Sequence, residues 1–127
     1  MQITLKGLLF DNDGVLVDSM PGALKAWVSW GERYNRGFEL SAEYHGRRAR
    51  DIVAELVSED KFHDALDYIN QLELDEAHST TALVGTLELL ASLPAGTWNV
   101  VTGANPELAR ARLSAAGIVP PQALVTA

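Results

Sequence analysis

Asp11 and Asp13 stand two residues apart directly after the apolar run Leu8-Leu9-Phe10, and Gly14 follows them. Carboxylates at that spacing, on a chain that can bend at the glycine, can hold one hard divalent cation between a side-chain oxygen and a neighbouring carbonyl. One of them can also attack an electrophile. The apolar run reads as a buried parallel strand. Its C-terminal tip is where open α/β sheets bind ligands, because loops and helix N-termini collect in that crevice. A calcium loop counted from Asp11 needs glycine at its sixth place and glutamate at its twelfth. Those places hold Leu16 and Gly22, so that chemistry is excluded. Solvated loop acids are the alternative for an isolated Asp-x-Asp-Gly.

A second group of residues suits an anion. Thr102-Gly103 ends the β-prone run Trp98-Asn99-Val100-Val101, and Asn105, Pro106 and Glu107 open a helix. They supply an N-cap, a first-turn proline and an acid at the positive end of the helix dipole. A hydroxyl, a glycine N–H and a helix N-terminus together make a phosphate seat, although Val-Thr-Gly alone also reads as a strand-to-loop exit. A third group, His45-Gly46-Arg47-Arg48-Ala49-Arg50, carries guanidinium forks suited to hydroxyl-rich anions. Its alternative is a solvated basic helix start. His45 can hydrogen-bond a ligand or fix the loop, and no partner at metal-ligand spacing stands beside it. His63 and His78 belong to no constellation and read as surface residues.

The run Phe10-Asp11-Asn12-Asp13-Gly14-Val15-Leu16-Val17-Asp18-Ser19 resembles the first motif of the haloacid dehalogenase-like hydrolases, and Thr102 resembles their second. The resemblance implies that Asp11 is the nucleophile that forms an aspartyl-phosphate and Asp13 the general acid/base. It implies that the Asn12 and Gly103 N–H groups and the Thr102 hydroxyl bind the phosphoryl group, and that Mg2+ sits at Asp11 and Asp13. His45, Gly46 and Arg47 match the basic segment that faces the catalytic aspartates in capped sugar phosphatases, which implies substrate recognition. This chain departs from the family at Asn12, where an apolar residue is usual, and lacks the serine that often separates the threonine from the glycine. The implied activity is magnesium-dependent hydrolysis of a small phosphorylated sugar or polyol.

The elements that must position these groups follow from periodicity. One helix is expected over 21–34 with Leu24, Trp27, Val28 and Tyr34 on one side, a second over 48–57 and a third over 59–77. A short helix is expected over 82–90, with Leu83, Leu87 and Leu90 in register. Strands are expected near 3–10, 97–102 and 122–126, and a helix from Asn105 stops at Gly117. The reading is an α/β fold: a three-layer parallel-sheet core, incomplete within these residues, from 1–18 and 80–127, with an inserted α-helical cap over 19–79.

The chain has 127 residues, 47% of them hydrophobic, with no cysteine and a formal net charge of −7. This excludes a disulfide framework and a cysteine nucleophile, suits a reducing compartment with cytoplasm as the default, and argues against nucleic acid as partner. No signal peptide or apolar run of membrane-spanning length is apparent, so no membrane is expected. The resemblance also implies a phosphate-neutralising lysine and an acidic pair beyond Ala127. The expectation is therefore an N-terminal part of a longer enzyme, inactive by itself, whose exposed sheet edge invites association with another chain. A phosphosugar mutase and a non-catalytic phosphate-binding module are the other readings. The preferred sugar and the oligomeric state are not legible.

Overall fold

The computed structural model describes residues 6–127, so the expected strand residues 3–5 lie outside the described part. Strand β1 (Leu8–Phe10) pairs in parallel with β4 (Trp98–Val100), Leu8 opposite Trp98 and Phe10 opposite Val100. Beyond β4, Val101 makes a single parallel bridge to Val125, so the third expected strand is reduced to one bridged residue. A small antiparallel ribbon joins β2 (Val17–Asp18) to β3 (Thr81–Ala82). The helices are α1 (Met20–Tyr34), α2 (Ala49–Leu56), α3 (Phe62–Glu76), α4 (Thr86–Ser92) and α5 (Pro106–Ala115). The order is that of an α/β fold with a parallel sheet and a helical insertion after the first strand.

Among the described residues two apolar clusters form the core. Leu16, Val17, Leu90, Val100, Leu113, Ala116 and Ile118 bury one against the sheet. Ala26, Trp27, Trp30, Ile52, Val53, Ala65 and Ile69 bury the other between α1, α2 and α3. In the second cluster Trp27 and Trp30 meet edge to face at 5.2 Å, and Phe38 closes on both. Rings of this size remove large apolar areas from water and so decide which helix face turns inward.

That dominance corrects the expected face of α1. Leu24 and Val28 are exposed, while Ala23, Ala26, Trp27 and Trp30 point inward. Trp30 also donates its indole N–H to the Ala65 carbonyl at 2.9 Å, which locks the register of α1 on α3. The third helix begins later than expected, at Phe62, because Glu59–Lys61 forms a separate tight turn.

The expected helix over 82–90 is displaced as well. Thr81 and Ala82 are drawn into pairing with β2, and the Leu83 N–H donates to the Leu16 carbonyl. The chain then turns at Gly85, whose φ of +88° only glycine takes without strain. Helix α4 starts at Thr86, whose hydroxyl donates to the Leu16 carbonyl at 2.8 Å. Leu87 is consequently exposed, and only Leu90 of the expected trio is buried. Finally, β1 is not covered on both faces among the described residues, since Leu9 is 73% exposed.

Candidate active site

The tips of β1 and β4 open into a cavity of about 430 Å³ whose opposite wall comes from the helical insertion. Asp11 and Asp13 line it from the core side, together with Thr102 and Gly103. His45, Gly46 and Arg47 line it from the insertion. Chain segments some ninety residues apart in sequence meet here because parallel pairing of β1 with β4 sets both strand tips side by side.

The turn after β1 is built by its own carbonyls. The Asn12 carbonyl accepts from the N–H groups of Val15, Leu16 and Val17, and Gly14 takes a φ of +80°. The Asn12 N–H donates to Asp11 Oδ1 at 2.8 Å. The Asn12 side chain turns away from the cavity and is fully buried, and neither of its amide atoms finds a partner among the described residues. The N–H groups of Asp13 and Gly103, by contrast, donate to no protein group among the described residues. The Asp13 carbonyl accepts no hydrogen bond among them either. Such free donors and acceptors beside an exposed Asp11 are what an anion and a cation would use.

Asp13 is held from three sides. Its Oδ1 accepts from the Ser19 hydroxyl at 2.6 Å and from Arg112 Nη1 at 3.2 Å. Its Oδ2 accepts, among the described residues, only from the Thr102 hydroxyl, at 3.5 Å. Thr102 is itself seated by its N–H on the Val125 carbonyl and by the Ala104 N–H on its hydroxyl. Asn105 caps α5 as the sequence indicates, accepting from the Leu108 N–H at 2.9 Å.

The basic segment approaches from above. A Cβ on Gly103 would stand 3.5 Å from Arg48 Cγ and 3.8 Å from the Gly46 carbonyl, so the two loops are in near contact. Arg47 pairs with Glu55 at 2.6 Å and lies over the Tyr44 ring, while Arg48 pairs with Asp51. His45, Arg47 and Arg48 are exposed and lie on the cavity rim.

Sequence reasoning missed two buried charges in this wall. Arg112 on α5 is 6% exposed and Glu73 on α3 is 8% exposed, with 3.5 Å between Arg112 Nη2 and Glu73 Oε1. The Trp27 indole donates to the same Glu73 oxygen at 3.2 Å. Burial pushes the Glu73 carboxyl above its ordinary pKa, and Arg112 and Trp27 pull it back only in part. A signal was present: Arg112 sits at helical spacing among buried Leu108, Ala109, Leu113 and Ala116, and Glu73 among buried Ala65, Ile69 and Ala77. A charge at a core position of an amphipathic helix needs a buried partner.

As for a metal, no group of three or more His, Asp or Glu side chains suited to a cation occurs among the described residues. Asp11 and the Asp13 carbonyl offer oxygen atoms of the kind a hard divalent cation takes as ligands. No helix of the described residues is long and apolar enough to cross a membrane.

Residues 5–122 match the family model of the haloacid dehalogenase-like hydrolases. The chain is 38% identical to hexitol phosphatase A of Escherichia coli (strain K12), a match that takes in 96% of this chain and 59% of that protein. It thus spans less than two thirds of that relative's length. A hydrolase from Pseudomonas syringae shares the fold with a TM-score of 0.74 at 20% identity, covering 97% of this chain and 60% of its own. A HAD family hydrolase from Deinococcus radiodurans R1, with bound phosphate and sodium, matches with a TM-score of 0.53 at 26% identity, over 88% of this chain and 52% of its own.

Proposed function

Because this chain belongs to the haloacid dehalogenase-like hydrolases, we propose that it carries the nucleophile half of a phosphatase for a small phosphorylated sugar or polyol. The observation that carries this reading is convergence: Asp11, Asp13, Thr102 and Gly103 share one cavity with the basic segment 45–47. The kinship to a hexitol phosphatase favours a linear polyol phosphate as substrate class.

In the proposed reaction an Asp11 carboxylate oxygen bonds to phosphorus as the bond to the leaving alcohol breaks, and Asp13 gives that alcohol its proton from Oδ2. Water then attacks the aspartyl-phosphate and returns a proton to Asp13, releasing phosphate and restoring the Asp11 carboxylate. The Thr102 hydroxyl and the N–H groups of Asn12, Asp13 and Gly103 are the candidate donors to the phosphoryl oxygens. His45 and Arg47, with the Gly46 backbone between them, read the hydroxyls and charge of the substrate. Asp11 and the Asp13 carbonyl would hold Mg2+, which when bound supplies positive charge against the phosphoryl oxygens.

In domain terms, 1–18 and 80–127 form the core and 19–79 the cap, in keeping with the two separate apolar clusters. A cytoplasmic setting suits residues without cysteine. The open face at Leu9 and Val125 is the surface proposed for association with further protein. With two magnesium positions in place of a full set, these 127 residues by themselves are proposed to show little or no turnover.

The experiment is phosphate release from a panel of hexitol and sugar phosphates with magnesium, using this chain, its Asp11→Asn and Asp13→Asn variants, and hexitol phosphatase A as positive control. Slow release that disappears with Asp11→Asn supports the reading. Release unaffected by Asp11→Asn refutes it, and an isomerised phosphosugar in place of free phosphate assigns the site to a mutase.

A further inference from the structure

We infer that Arg112 is a positioning residue: its one guanidinium fixes the Asp13 carboxylate and ties that placement to helix α3 through Glu73. The inference rests on the proposed acid/base role of Asp13 for its functional meaning, while its geometry stands on separate observations.

A guanidinium that is 6% exposed must have its charge met inside the protein. The two acids that meet it come from different halves of the molecule. Asp13 follows β1 and is continuous with Leu16 and Val17 of the sheet cluster. Glu73 belongs to α3, whose Ala65 and Ile69 lie in the helical cluster. Arg112 itself is carried beside Leu113, a member of the sheet cluster. One side chain therefore spans both apolar units, with Nη1 on Asp13 and Nη2 on Glu73.

The span is held at each end. On α3, the Trp27 indole of α1 donates to Glu73 Oε1, and Asn70, one turn earlier, accepts from the Asn105 side chain at 3.5 Å. At Asp13, the Ser19 hydroxyl and Arg112 both donate to Oδ1. With that oxygen engaged twice, the carboxylate cannot rotate freely, and Oδ2 is the atom presented toward Thr102. A shift of α3 relative to α5 would pull on the guanidinium and reorient the carboxylate. The fork geometry of arginine allows this two-acid bridge; a lysine ammonium on its flexible stem holds neither oxygen in a fixed plane.

The decisive readout is the Asp13 side-chain carboxyl carbon resonance, measured by NMR on the full chain at one pH and assigned through Asp13→Asn. Glu73→Gln, which shares no hydrogen bond with Asp13 among the described residues but whose charge acts on it through space, is expected to shift that resonance most when Arg112 is present. In an Arg112→Ala background the same change should shift it clearly less, by the through-space part alone. An Asp13 resonance that ignores Glu73→Gln, or that responds equally with and without Arg112, overturns the inference. Arg112→Lys, which retains the charge, repeats the comparison should the alanine variant fail to fold by circular dichroism.

Turnover supplies the second arm. Arg112→Ala should lower kcat by about 10- to 100-fold, part of the ~100- to 10,000-fold that general acid–base catalysis contributes, with little change in KM. Added guanidinium should restore part of it, which a purely structural role would not permit. Unchanged kcat, or an equal loss with no rescue, counts against Arg112. Where the unsubstituted chain shows no turnover, the NMR comparison decides the positioning role in either direction.

Discussion

Two glycines in helix α1 should respond to the same substitution with opposite sign. Gly22 is buried where α1 crosses the end of α3, and a Cβ placed on it would lie 2.9 Å from the Glu76 carbonyl oxygen and 2.8 Å from Ser79 Oγ. Neither neighbour can move cheaply: one is backbone, and the Ser79 hydroxyl is already donating to that same carbonyl at 2.8 Å. Gly31, nine residues on, is also buried, but its Cβ would meet Phe38 Cβ at 3.4 Å and the Phe38 carbonyl at 3.5 Å, ordinary contact distances. Alanine is the better helix former by about 0.8–1.0 kcal/mol at either site. At Gly22, overpacking against a rigid carbonyl costs about 1–3 kcal/mol and outweighs that gain. Gly22→Ala should therefore lose up to about 2 kcal/mol, and Gly31→Ala should gain up to about 1 kcal/mol. Urea unfolding followed by circular dichroism reads the difference. With m about 1–3 kcal/mol per molar, each kcal/mol moves the midpoint by about 0.3–1 M. A Gly22→Ala protein at least as stable as Gly31→Ala would falsify the argument that close approach of α1 to the α3 terminus requires glycine. The matter bears on function because that crossing carries α3, and with it Glu73, to the cavity wall.

Glu73 should leave a signature in the pH dependence of stability. Its folded pKa is raised by burial, so between the ordinary glutamate value near ~4.3 and the raised value the folded state holds the extra proton. Its contribution is fully present below the ordinary value and is lost as pH rises through the folded one. Glu73→Gln should flatten the fall in urea midpoint across that window, and parallel profiles for the two proteins would contradict the assignment. Asn12→Leu should be neutral or stabilising by about 1 kcal/mol, because an unpartnered buried amide costs about 1–3 kcal/mol and an apolar side chain of similar volume removes that cost. A clear drop in melting temperature would show that the Asn12 amide has a partner.

Local chemistry was legible in the chain. The apolar run into Asp11-Asn12-Asp13-Gly14 specifies a strand that ends in a turn, and Asn105-Pro106-Glu107 specifies the start of α5; both rest on backbone preferences and side-chain-to-backbone bonds within a few residues. Residues 11, 13, 102 and 103 could be proposed for the site because they stand at strand tips, while the roles proposed for them come from the family resemblance. Long-range packing decided the rest. Burial of Trp27 and Trp30 against α3 turned Leu24 and Val28 outward, and pairing of Thr81 and Ala82 with β2 withheld them from a helix that their own propensities allow. The ionic bridge from Asp13 through Arg112 to Glu73 belongs to this second class. Each of its charges stands at a core position of its own segment, a cost that no local bond can offset, and only the folded arrangement brings the three together where each satisfies the next.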